Sequence, residues 1–310
     1  MAETAQTELI RAVQIARDVE ERRSINGLRF ATFGETGVAA PDLQSMIEAV
    51  PPAITAALNG NTYFFVPMAL RELPSTDIPS IEGSPADEAK PDSPDQAMVA
   101  TAYSAEFDEE AICHRNVTLG SGHQGIFIST RLMGDRFALC FEFFINIAHA
   151  FADASGVPEA FADLAWQQAT GGVRGTLGVA RGETSMDSWE ARNLSLGRPM
   201  HDDGSATAPL APSRRSRTFV SMSASSSIPA ATSEIKVDEK ERATFVSSAF
   251  SDALAIYLLS LAVDFDYSEL REREYPLLAP TALAARLRMI AELYPPNTGY
   301  EFAVRYRRRA

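Results

Sequence analysis

An imidazole and a carboxylate four residues apart, His149 and Asp153, are the side chains in this 310-residue sequence best spaced to do chemistry together. On a helix, residues at i and i+4 share a face, and Asn146 joins them one step earlier. A carboxylate beside an imidazole fixes its tautomer and strengthens it as a base, which a general base or a metal-ligating histidine needs. Glu142 extends the stripe if the whole stretch from Phe137 to Ala154 is one helix. Its steps to Asn146, His149 and Asp153 are then four, three and four. If Arg136 to Phe144 is a strand instead, Glu142 shares a face with Cys140 and leaves the set. The plain structural alternative is a half-buried histidine paired with Asp153, or the solvated edge of a helix.

Other chemistry-bearing patterns are weaker. Gly120 to Gly125 matches G-x-G-x-x-G, but a dinucleotide fold needs a helix next, whose amides face the pyrophosphate. The residues that follow, Ile126-Phe127-Ile128-Ser129-Thr130, are strand formers, so the glycines read as a turn between strands. Gly171, Gly172, Gly175, Gly178 and Gly182, with Arg174 and Arg181 interleaved, read as a connector. Cys113, His114, His123 and Cys140 fit no zinc-ligand spacing. The sequence contains no G-x-S-x-G elbow, H-E-x-x-H, P-loop, EF-hand loop or C-x-x-C. No cofactor is therefore assigned.

The elements that must position these groups follow from periodicity. Glu3 to Arg23 has the spacing of an amphipathic helix. Asp42 to Leu58 reads as helix divided by Pro51-Pro52. Leu28–Phe33, Thr62–Val66, Gly125–Leu132, Arg136–Phe144 and Tyr300–Arg307 read as strands. The third and fourth are expected to form a hairpin about Met133-Gly134-Asp135. The competing reading makes 137–154 a single buried helix. Further helices are expected from Asn146 to a stop at Gly156, from Pro158 to about Gln168, after a capping box of Thr184 and Asp187, after Asp238, and from Thr281 to Leu293. The fold class is α+β: a mostly antiparallel sheet with packed helices and two long irregular loops.

Composition sets the outer bounds. With 45% hydrophobic and 22% charged residues the chain reads as globular. Two cysteines are too few for a disulfide framework. No basic region followed by an apolar stretch opens the chain, and the apolar runs Ala253–Val263 and Phe137–Ala152 are short or interrupted, so a cytoplasmic protein outside the membrane is expected. The net charge of −13 is concentrated in residues 72–110, where eleven acidic residues face one lysine. Residues 74–95, rich in proline and acid, are expected to link an N-terminal α+β unit (1–73) to a main domain (96–310), which carries a Ser/Pro-rich loop at 199–233.

The arginines at 214, 215 and 217 and at 305 and 307–309 form no broad basic footprint, so nucleic acid is not expected. Two functions compete. One is a non-catalytic accessory or interaction protein, with a protein partner or its own copies in an assembly. The other is an enzyme or small-ligand protein built on His149 and Asp153, with Asn146 and Glu142 in support.

Overall fold

The computed structural model describes residues 7–71, 97–120, 122–171, 183–197, 237–272 and 278–305, and they form an α+β fold. The first half of the chain supplies β1 (Leu9–Arg11), α1 (Ala12–Asp18), β2 (Arg22–Arg23), β3 (Arg29–Thr32), α2 (Ala40–Glu48), α3 (Pro52–Ala57), β4 (Asn61–Val66) and β5 (Met68–Leu70). After residue 96 come β6 (Met98–Ala100), β7 (Ala111–Ile112), β8 (His114–Thr118) and β9 (Gln124–Ser129). The helical remainder is α4 (Arg136–Ser155), α5 (Glu159–Gly171), α6 (Met186–Ser195), α7 (Glu239–Ala262), α8 (Tyr267–Glu272) and α9 (Pro280–Leu293).

The strands make two sheets, ordered β2-β3-β4-β9-β8 and β1-β6-β5-β7. In the larger sheet β4 runs parallel to both β3 and β9, while β2 and β8 close the edges antiparallel. Successive strand residues point to opposite faces. Tyr63 and Phe65 of β4 therefore enter the core under the helices, whereas Phe64 and Val66 enter a second core against α1 and the smaller sheet. Both faces are covered, so the aromatic and β-branched run from Tyr63 to Val66 is buried throughout. Phe64 stacks on Phe127 of β9 at 4.6 Å, and Tyr63 meets Phe143 of α4 edge-on at 5.4 Å. The Ser129 hydroxyl joins the sheets by accepting from Ala69 N at 2.7 Å and donating to Ile112 O at 2.6 Å. In the smaller sheet, strands from before residue 72 and after residue 96 alternate, and in the larger sheet β4 of the first segment pairs with β9 of the second, so each segment completes the other's backbone ladder.

Helix α7 is the centre of the helical layer, with α4, α5, α6 and α9 packed around it. Its side chains from Ala249 to Leu259 are all buried, including Asp252. That carboxylate is held by hydroxyls from the start of α6: Thr184 Oγ1 donates at 2.8 Å and Ser188 Oγ at 2.6 Å. Beside it Glu183 sits between two buried guanidiniums, 2.9 Å from Arg286 of α9 and 3.5 Å from Arg192 of α6. Gln168 of α5 accepts from Arg286 Nε at 2.8 Å. Burial pushes the Glu183 carboxyl above its ordinary range, and the two guanidiniums oppose that push. By length and composition α4 and α7 could each cross a membrane, but half and 72% of their most apolar windows are buried inside this body.

Four expectations are corrected. Arg136–Phe144 is not the second strand of a hairpin but the first half of α4. The apolar pairs Leu139/Cys140, Phe143/Phe144, Ile147/Ala148 and Phe151/Ala152 repeat every four residues and are all buried. A strand assignment ending at Phe144 truncates that helical pattern. Strand β9 also has no free edge, because β4 and β8 already flank it. Asp135, expected in the turn, caps α4 by accepting from Ala138 N at 2.8 Å. The expected helix over Glu3–Arg23 is interrupted among the described residues, being helical only in α1, with β1 and β2 on either side. The expected terminal strand is not paired over Tyr300–Arg305; this segment docks through Tyr300 Oη on Ser45 O (2.9 Å) and through Phe302 against Tyr257. The N-cap of α6 is Ser185 rather than Thr184, whose hydroxyl goes to Asp252. The stretches 74–95 and 199–233 lie outside the described residues.

Removing one member of the buried ion cluster leaves an uncompensated charge, at a cost of about 3–5 kcal/mol. Urea denaturation of Arg286→Met should show a loss of that order. Adding Glu183→Gln to the same variant should recover part of it.

Candidate functional site

Among the described residues the larger sheet ends at β8, and α4 crosses the helix-side face just inside that edge. Alternation along β8 turns His114 and Asn116 toward α4, opposite Ile128 and Ile126 of β9, and sends Val117 into the core on the other face. Between β8 and α4 lies a cleft of about 680 Å³. Glu142, Asn146, His149 and Asp153 of α4 line one wall. His114 and Asn116 of β8, Gln124 of β9 and Asn61 of β4 line the other. The same helix buries Phe143, Phe144, Ile147 and Phe151 on its opposite side, so core packing fixes where the polar stripe points.

The closest polar contact in the cleft joins the two walls. His114 Nδ1 lies 2.6 Å from Glu142 Oε1. Asn146 steadies that carboxylate from one turn further on, its Nδ2 donating to Glu142 O at 2.8 Å and to Oε1 at 3.2 Å. An ionised carboxylate only accepts hydrogen bonds, so this contact requires the proton on Nδ1. In the neutral ring Nε2 is then left as an acceptor able to take a proton. The histidine side chain is 40% exposed and the glutamate 18%, so the pair stands at the cleft surface with its carboxylate end sheltered.

The structure brings all four sequence-derived residues of α4 to one cleft, because the segment is a helix throughout. It does not join His149 to Asp153: both are exposed, and no hydrogen bond or ion pair links them. The carboxylate with an imidazole partner is Glu142, and the imidazole is His114, 28 residues earlier in the chain. Sequence spacing could not reveal that pair. The residues of β8 carry little signal of their own, since His114, Arg115, Asn116 and Thr118 are polar and Val117 alone is apolar and buried.

The remaining candidates fall elsewhere. Gly120 and Gly122 belong to the turn between β8 and β9, where Leu119 N donates to His123 O at 2.8 Å, and a strand follows rather than a helix. Cys140 is in the core, where burial pushes its thiol up to about 11. Cys113 is exposed, and its thiol is raised by partial burial and then by the Glu142 charge, so neither sulfur favours the thiolate. Among the described residues no group of three or more His, Cys, Asp or Glu is placed to hold a metal ion. The glycine cluster from Gly172 to Gly182 lies outside the described residues. Compared with known protein families, with curated proteins and with solved structures, the chain matches none of them.

If Glu142 sets the tautomer, long-range nitrogen–proton correlation spectra should show His114 with its proton on Nδ1 in the neutral ring. In Glu142→Ala the population should move toward the Nε2–H form that free imidazoles favour. An unchanged spectrum would remove the pair from the site.

Proposed function

We propose that this chain binds a small polar ligand in the cleft between α4 and β8, and that His114, oriented by Glu142, exchanges a proton with it. The observation that carries this reading is the 2.6 Å contact of His114 with Glu142 inside a cleft of about 680 Å³. A cleft of that size suits a metabolite-sized molecule. Its walls present four carboxamides, Asn61, Asn116, Gln124 and Asn146, each offering donors and an acceptor. Such groups suit hydroxyl, amide or amine functions. Glu142 and Asp153 place two carboxylates on the same wall, which disfavours an anion and favours a neutral or cationic ligand. His149 and Asp153 then serve as ligand contacts about two and three turns beyond the paired Glu142.

The competing accessory-protein reading rests on the aromatic-rich segments, on two long loops of opposite charge bias that lie mostly outside the described residues, and on a sequence without a familiar catalytic motif. The cleft tips the balance toward a ligand. A thermal-shift panel of monosaccharides, nucleosides and polyamines tests this directly. A true ligand at a hundred times its Kd should stabilise the chain by about 2.7 kcal/mol. That gain should shrink sharply in Glu142→Gln and Asn146→Ala. A panel without a stabilising member, together with a partner that co-purifies in stable stoichiometry, would favour the accessory reading.

A further inference from the structure

Among the described residues, a concentration of unspent positive charge lies on the other side of the larger sheet, beside α1. Two adjoining grooves there, of about 360 and 470 Å³, share Glu21 and Arg29 in their walls. Arg22 and Arg23 of β2 line the first, and Arg17 of α1 and His123 of the β8–β9 turn line the second. Four arginines and one glutamate therefore line the adjoining grooves, in a chain whose formal net charge is −13. Their donors are largely uncommitted. Arg17 and Arg22 have no hydrogen bond or ion pair among the described residues, and Arg23 uses only Nε, on Gly27 O at 3.1 Å. Arg29 gives Nη2 to Asn59 O at 2.6 Å and holds Nη1 3.8 Å from Glu21, too far for a hydrogen bond. Its Nε is buried without a partner. A buried donor left unpaired is costly, and four like charges around a shared hollow repel one another.

We propose that these joined grooves form a second ligand site, for a compact polyanion carrying two or more phosphate groups. Arginine forks match phosphate oxygens two at a time, and several of them accommodate a multiply charged group that one could not neutralise. The site is distinct from the α4 cleft in position and in sign: its titratable and charged lining is Arg17, Glu21, Arg22, Arg23, Arg29 and His123, whereas the cleft carries Glu142 and Asp153. The proposal does not depend on what the cleft binds.

Calorimetric titration of the full chain with sodium pyrophosphate, at fixed ionic strength, tests it. Saturable binding that weakens as sodium chloride is raised is expected. The double variant Arg17→Ala/Arg22→Ala should bind at least tenfold more weakly. Arg136→Ala, which removes an exposed charge elsewhere on the surface, should bind as the parent does. A parallel arm with phosphatidylcholine vesicles, with and without a phosphoinositide, separates a free phosphorylated metabolite from a lipid headgroup; retention on the phosphoinositide vesicles alone assigns the same chemistry to a lipid. No binding in either arm overturns the proposal. So does equal weakening by Arg136→Ala, or binding of a single-stranded oligonucleotide without binding of pyrophosphate.

Discussion

Helix α7 is apolar around most of its circumference, and such a helix is stable only when other elements cover it on all sides. Thirteen of its 24 residues are buried. Each large apolar side chain removed from water contributes about 1.5–3 kcal/mol, so the arrangement of α4, α5, α6 and α9 around α7 dominates the energetics of the helical layer. The polar exception shows how strict the constraint is. Asp252 is tolerated because two hydroxyls meet it. The neighbouring Glu183 is tolerated because Arg192 and Arg286 converge on it from separate helices. That cluster ties α5, α6 and α9 to one place against α7 without adding apolar surface.

The candidate site follows from the same packing. Helix α4 must satisfy α7 and the larger sheet with its paired apolar positions, which leaves Glu142, Asn146, His149 and Asp153 as a narrow polar line along its flank. The sheet ends under that flank. Because no further strand pairs with β8 among the described residues, the space above His114 and Asn116 stays open, and the polar side chains of an edge strand face it. Polar groups along an exposed edge also discourage pairing with another chain. Cleft and edge are thus one feature, made by the mismatch between a 20-residue helix and a sheet that stops beside it.

Parts of this were legible in the residues. β3, β4 and β9 were marked by β-branched and aromatic runs, and the break between α2 and α3 by Pro51-Pro52. The start of α7 was marked by Asp238, which caps it by accepting from Lys240 N and Glu241 N. Gly156, with φ of 71°, ends α4 where the sequence placed a stop. The stripe on α4 was legible only conditionally. Phe137 to Phe144 is apolar at nearly every position, and such a run satisfies a period of two as well as one of 3.6. The arbiter was the repeat continuing through Ile147/Ala148 and Phe151/Ala152, together with partners on β9 that left no ladder to join.

The sequence by itself determined which stretches prefer helix or strand, where several of them stop, and that Glu142, Asn146, His149 and Asp153 share a face once their segment is helical. Those properties depend on side chains within a few residues of one another. Only the tertiary structure decided that the imidazole paired with a carboxylate is His114 rather than His149. It alone gathered Arg17, Arg22, Arg23 and Arg29 from α1, β2 and β3 around shared grooves. Contacts across 28 residues of chain, or between a helix and a sheet edge, are set by the burial of apolar surface elsewhere, and the spacing of the polar residues carries no record of them.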